Sequence, residues 1–118
     1  MINSNEKYKA SNLSKNDSKY VFQKLVHLMR TEKYYLKEDL SLSQLANLTD
    51  IPYRDLSQII NENSELNFYN FINQYRVDEA KRLLLQIPKN KKTILNVCFE
   101  AGFNTKATFN AAFKKISE

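Results

Sequence analysis

The residues that most often carry covalent or acid–base chemistry are scarce in this chain: His27 and Cys98 each occur once. A lone thiol cannot staple a fold, and one thiol with one imidazole is too few ligands for a zinc site. A nucleophile–histidine pair has equally little material. Carboxylates are present but show no catalytic spacing; the adjacent Asp78 and Glu79 read as ordinary helix-surface partners. No catalytic residue, metal or cofactor is therefore expected. What remains is hydrogen-bond chemistry. Arg54, Gln58 and Asn61 recur at intervals of four and three residues. A guanidinium offers a planar fork of donors, and a carboxamide sets a donor beside an acceptor. Such groups fit a partner that presents fixed, planar hydrogen-bonding edges.

The elements that would carry these groups are helices. At 118 residues, 42% hydrophobic and 26% charged, the chain has the size and composition of one soluble domain. It holds one Gly and two Pro, and its apolar residues recur every three or four positions, so it reads as all-α. Residues 1–17 are polar, a flexible tail or linker, and 18–118 form the domain. The tail has no apolar stretch of the signal-peptide kind, and no run approaches the ~20 apolar residues of a membrane span. The expected location is cytoplasmic, without membrane contact by this segment.

Residues 20–32 place Phe22, Leu25, Val26 and Met29 on one face of a first amphipathic helix, with Lys24, His27 and Arg30 on the other. Ser41 and Gln44 form a capping box that opens a helix to about Thr49. Pro52 then starts another, with Leu56, Ile59 and Ile60 inward. A long helix over 67–86 carries Phe71, Ile72, Tyr75, Ala80, Leu83 and Leu84 and stops before Pro88. A basic loop, Lys89-Asn90-Lys91-Lys92, leads to Thr93 as a further cap. The last helix, from about Thr105 to Lys115, buries Phe109, Ala112 and Phe113.

The segments on either side of the long helix repeat each other, which takes priority in reading the organisation. Leu42, Leu45, Ala46, Thr49, Asp50 and Ile51 align with Ile94, Val97, Cys98, Ala101, Gly102 and Phe103. After one extra residue, Leu56 and Ile60 align with Phe109 and Phe113. Each copy reads as short helix, tight turn, second helix. Ala46 and Cys98 are small enough for two steeply crossed helices to approach. Asp50 and Gly102 suit a left-handed turn, and Ile51 and Phe103 plug the angle. A generic helical hairpin explains the apolar spacing but not this order of small, turning and plugging residues. The expectation is two helix-turn-helix units, about 41–63 and 93–115, joined by a bridging helix about 67–86. That bridge would span ~27–30 Å at 1.5 Å per residue, against ~34 Å between successive major-groove faces of one DNA side.

Several ordered stretches resemble the AraC/XylS-type transcription regulators. They are Leu40-Ser41-Leu42 with Leu45-Ala46, Asn67-Phe68 through Phe71-Ile72-Asn73, Tyr75-Arg76-Val77 and Ala80, Glu100-Ala101-Gly102-Phe103, and Phe109 with Phe113-Lys114-Lys115. The resemblance covers roughly residues 20–118. It implies the C-terminal DNA-binding domain of that family, homeodomain-like, with double-stranded promoter DNA as partner. It also implies an attached N-terminal sensory domain in the full-length regulator; RNA polymerase is a further candidate partner. Two departures stand out. Glu65 occupies a corner where the family usually has glycine. The chain also ends at Glu118, about where the family continues into a last helix, so that helix is expected to be lacking and the second unit less firmly packed.

A recognition helix reads bases with outward side chains near its start. In the first unit these are Tyr53, Arg54, Ser57, Gln58 and Asn61, with Arg54 suited to guanine and Gln58 to adenine. In the second they are Lys106, Ala107, Thr108 and Ala111; the alanines offer only apolar contact to a thymine methyl, so specificity would lean on the first unit. Phosphate contacts are expected from the helix openings at Ser41 and Thr93, and from Lys91, Lys92, Asn110, Lys114 and Lys115. Arg76 is read as structural. The net charge of +5 suits a polyanion but is modest. A basic helical bundle that docks a protein such as RNA polymerase is the competing reading, separable by the salt dependence of DNA binding.

Overall fold

The computed structural model describes residues 14–86 and 93–117. Six α-helices and one 3-10 turn make up the regular structure among them: α1 Lys15–Glu32, the turn Tyr34–Leu36, α2 Leu42–Thr49, α3 Tyr53–Ser64, α4 Phe68–Leu84, α5 Ile94–Glu100 and α6 Lys106–Ser117. No described helix is long and apolar enough to cross a membrane. The loop holding Lys91 and Lys92 lies outside the described residues.

The contacts divide into two compact units. One comprises the described residues up to Tyr34 together with Leu40–Tyr69; the other comprises Tyr35–Asp39 and the chain from Asn70 onward. In the first, α1 packs on α3 and α2 on α3. Val21, Leu25 and Met29 of α1 are buried, as are Leu45, Ile51, Leu56, Ile59 and Ile60. The first helix begins earlier than its apolar pattern suggests. Ser14 caps it, its hydroxyl accepting from the Asp17 backbone at 3.1 Å, and Ser18 one turn on is already buried.

In the second unit the core gathers Val77, Ala80 and Leu83 from α4, Val97, Cys98 and Ala101 from α5 and its end, and Phe103, Phe109 and Ala112 around α6. Phe103 and Phe109 meet edge to face, ring centroids 5.4 Å apart, a favoured aromatic geometry. Arg76 is buried here, as its structural reading requires. Its Nε donates to the Tyr35 carbonyl and its outer nitrogen to the Lys37 carbonyl, each at 2.7 Å. A guanidinium, always charged and rich in donors, thereby ties α4 to two carbonyls of the 3-10 turn segment.

Glu65, at the corner after α3, holds the left-handed conformation, φ 62°, and its N–H closes on the Asn61 carbonyl at 2.9 Å. The backbone there makes the turn a glycine would make without steric cost.

Candidate nucleic-acid interface

The two predicted helix-turn-helix units share one backbone device. In the first, Asp50 is left-handed at φ 57° and the Ile51 N–H reaches back to the Ala46 carbonyl at 3.1 Å. In the second, Gly102 sits at φ 101° and the Phe103 N–H reaches back to the Cys98 carbonyl at 3.0 Å. Ala46 and Cys98 are buried at the crossings, and Ile51 and Phe103 are the buried plugs. The openings of the first helices also match. Ser41 and Gln44 exchange side-chain and backbone bonds, and Thr93 and Asn96 do the same. Cys98 is fully buried and burial pushes its thiol pKa up, against a smaller opposing pull from Lys106. It is a packing residue rather than a reactive thiolate.

Every outward residue expected on α3 is solvent-exposed: Tyr53, Arg54, Ser57, Gln58 and Asn61. Leu56, Ile59 and Ile60 fill the inner face at zero exposure. The exposed row begins in the first helical turn. Gln58 is not loose, however. Its Nε2 donates to Glu62 Oε1 at 2.7 Å. Glu62 Oε2 in turn accepts from the buried Ser18 hydroxyl at 3.0 Å, and that same hydroxyl accepts from Asn63 Nδ2 at 3.0 Å. Glu62 and Ser18 carried no signal in the sequence, because the bond joins residues 44 apart.

Asp55 was also beyond sequence reasoning. It is the third residue of α3, fully buried, and neither carboxylate oxygen has a hydrogen-bond partner. Desolvation raises its pKa above its ordinary value, and the Arg54 charge counters only part of this. An ionisable group so placed opposes folding of the unit.

On α6, Lys106, Ala107, Asn110, Ala111, Lys114 and Lys115 are exposed and Thr108 is half-buried. Thr108 is drawn into the cap of its own helix. Its backbone N–H donates to Thr105 Oγ1 at 3.0 Å, and its hydroxyl oxygen lies 2.8 Å from the Thr105 carbonyl and 3.3 Å from Asn104 Oδ1. Lys115 reaches Asn70 Oδ1 at 3.4 Å, while Lys81 lies over the Phe113 ring, 5.6 Å from its centroid. Ser41 and Thr93 are exposed at the openings of α2 and α5. Among the described residues, no group of His, Cys, Asp and Glu is gathered to hold a metal ion.

Geometry of this kind defines a helix-turn-helix protein, and comparison with known proteins agrees. A family model described as a helix-turn-helix domain matches residues 45–118. The chain is 31% identical over 83 residues to an uncharacterized HTH-type transcriptional regulator of Staphylococcus aureus strain COL, and a regulator of strain MSSA476 matches to the same extent. Those alignments take in 70% of this chain but 11% of each regulator, so the chain spans about a tenth of the curated relatives it matches. Among solved structures, a protein of unknown function from Listeria innocua superposes with a TM-score of 0.65 at 26% identity, over 80% of this chain and 84% of that one. The C-terminal domain of AraT, a response regulator from Geobacillus stearothermophilus, shares the fold at TM-score 0.64 and 24% identity, over 88% and 78% of the two chains. The chain belongs to the AraC-type helix-turn-helix family of DNA-binding domains. That family is not enzymatic.

Proposed function

We propose that this domain binds promoter DNA sequence-specifically as part of a transcription regulator, placing α3 and α6 in successive major grooves. The observation that carries the reading is the duplicated turn. Two units with the same left-handed pivot and the same return bond each present a helix whose outward face is exposed from its first turn. Arg54 and Gln58 are the base readers of the first unit, directed at guanine and adenine edges; Tyr53, Ser57 and Asn61 flank them. Lys106, Ala107, Thr108 and Ala111 meet the second groove. The capping role of Thr108 leaves the alanines and Lys106 as the main contacts there. Phosphates are held by Ser41 and Thr93 at helix openings, and by Asn110, Lys114, Lys115, Lys91 and Lys92.

Selection of bound duplexes from a random pool tests this. The expected product is two short boxes centred about one helical turn, roughly 10 base pairs, apart. Affinity for that site should fall steeply as salt rises, because several phosphates are neutralised. A pool that yields no preferred sequence, with binding that salt leaves unchanged, overturns the proposal and favours a protein partner.

A further inference from the structure

We infer that Glu62 is a positioning residue for base reading: anchored by Ser18, it fixes the Gln58 carboxamide so that its oxygen and one N–H face an adenine. The inference rests on Gln58 reading a base, as proposed above, and adds the residues that make the reading selective.

An exposed glutamine has three rotatable bonds and two nearly equivalent amide orientations, so on its own it would present oxygen or nitrogen to the groove with little preference. An adenine edge needs both at once, an acceptor for its N6 amine and a donor for N7. Glu62 removes the ambiguity. A carboxylate only accepts hydrogen bonds, so the 2.7 Å contact between its Oε1 and Gln58 Nε2 requires the nitrogen side of the amide to face it. The inference gives Glu62 the N–H anti to the amide oxygen, which leaves the oxygen and the syn N–H on one edge, the pair adenine requires.

The second carboxylate oxygen explains why Glu62 itself stays in place. It accepts from the Ser18 hydroxyl of α1 at 3.0 Å, and Ser18 is only 2% exposed. Asn63 holds Ser18 from the other side, while its own amide also donates to the Ile59 carbonyl at 2.8 Å. A chain of bonds therefore runs from the buried contact between α1 and α3 to the exposed reader. An ordinary i,i+4 pair on a helix surface has no such anchor and contributes little by itself. Here the ordering of a flexible side chain is completed before DNA arrives, which lowers the entropy lost on binding.

The test is the base preference of the full chain at the one pair that Gln58→Ala alters, read on selected duplexes and their single-pair variants. Gln58→Ala should reduce preference there about tenfold or more, the scale of a paired base contact. Glu62→Ala should lose roughly three- to tenfold at the same pair and leave other pairs alone, in proportion to the lost preorganisation. The double variant should lose no more than Gln58→Ala alone. Glu62→Gln keeps an acceptor for Gln58 and a donor for Ser18, and should restore the preference despite the lost charge. Ser18→Ala, at a residue buried away from solvent, should show a smaller loss at that same pair. In the free protein, the Gln58 carboxamide proton resonances, assigned by their loss in Gln58→Ala, should collapse toward free-amide positions in Glu62→Ala and not in Glu62→Gln. Preference unaffected by Glu62→Ala, where Gln58→Ala abolishes it, overturns the positioning role and leaves Gln58 as a reader. Should Gln58→Ala change no pair, the reading itself fails, and the inference with it.

Discussion

The two helix-turn-helix units build one pivot from different residues. Asp50 makes the first left-handed turn with an ordinary side chain, which is exposed. Gly102 makes the second where a Cβ would stand 2.3 Å from the Tyr35 carbonyl oxygen and 2.9 Å from Arg76 Nε. At φ 101° the backbone already disfavours an L-residue, whereas the φ of 57° at Asp50 is one that Asp and Asn adopt at modest cost. Crowding adds to it. In the second unit the turn is pressed against the 3-10 segment that Arg76 organises, so the return bond, the buried guanidinium and the glycine form one arrangement. The first unit, free of that crowding at its turn, spends its polar residues on the exposed face of α3 instead.

The sharpest way to break this comparison is to put a methyl group at each pivot. Gly102→Ala meets a clash with backbone as well as strain at φ 101°, and should destabilise the second unit by about 3 kcal/mol or more. Asp50→Ala faces no comparable obstacle and should cost about 1 kcal/mol or less, the left-handed preference of Asp over Ala. Urea unfolding of the two variants checks the difference. Equal losses would mean that left-handed geometry, not the approach of Tyr35, is what selects glycine.

The comparison extends to base reading. If Gln58 reads a base as proposed, Gln58→Ala should lose a bidentate contact of roughly 1–3 kcal/mol at one base pair, whereas Ala111→Ser on α6 should change preference by well under 1 kcal/mol, since an alanine can offer a base only an apolar contact. Profiles of bound sequences for the two variants would show which unit carries specificity. A larger change from α6 than from α3 would reverse the assignment.

Much of this was legible in the sequence, for a physical reason. Small, turning and plugging residues are local requirements of a tight helix crossing, and they recur in order at Ala46, Asp50 and Ile51 and at Cys98, Gly102 and Phe103. The exposed row on α3 follows from the same periodicity that buries Leu56, Ile59 and Ile60. What stayed hidden depends on contacts between distant segments. Ser14 opens α1 inside a polar stretch where no apolar residue marks a helix. The bond from Ser18 to Glu62 joins two helices far apart in the chain. Asp55 is buried although polar, and a hydrophobic pattern has no means of recording that. Thr108 looks outward by register, yet its hydroxyl is engaged by neighbouring residues at the opening of its own helix.

Asp55 gives the first unit a pH dependence in the acid range. Its folded pKa lies above its ordinary value of 3.8 because burial disfavours the charged form. A carboxyl shifted upward contributes stability that is fully present below 3.8 and is lost as pH rises through the folded value. Asp55→Asn carries no charge to desolvate. It should be more stable than the parent chain by about 1 kcal/mol at neutral pH, the lower part of the range for a buried unsatisfied group. The advantage should shrink as the pH is brought down toward 4. Thermal melts of both proteins across that range provide the check, and a pH-independent gap would remove Asp55 as its source.

The smallest expected effect lies at the corner between α3 and α4, where Glu65 does with a full side chain what Gly102 does without one. Its φ of 62° carries the left-handed strain of an L-residue, roughly 1–2 kcal/mol. Replacing it by glycine removes that strain but loosens the unfolded chain, which costs roughly 0.5–1 kcal/mol. The net expectation for Glu65→Gly is a gain of about 0.5 kcal/mol, since the Glu65 side chain is exposed and its N–H can keep the bond to Asn61. Denaturant midpoints of the two chains measure it. A loss instead would show that the Glu65 side chain contributes a stabilising interaction larger than the strain it imposes, and would set this corner apart from both pivots.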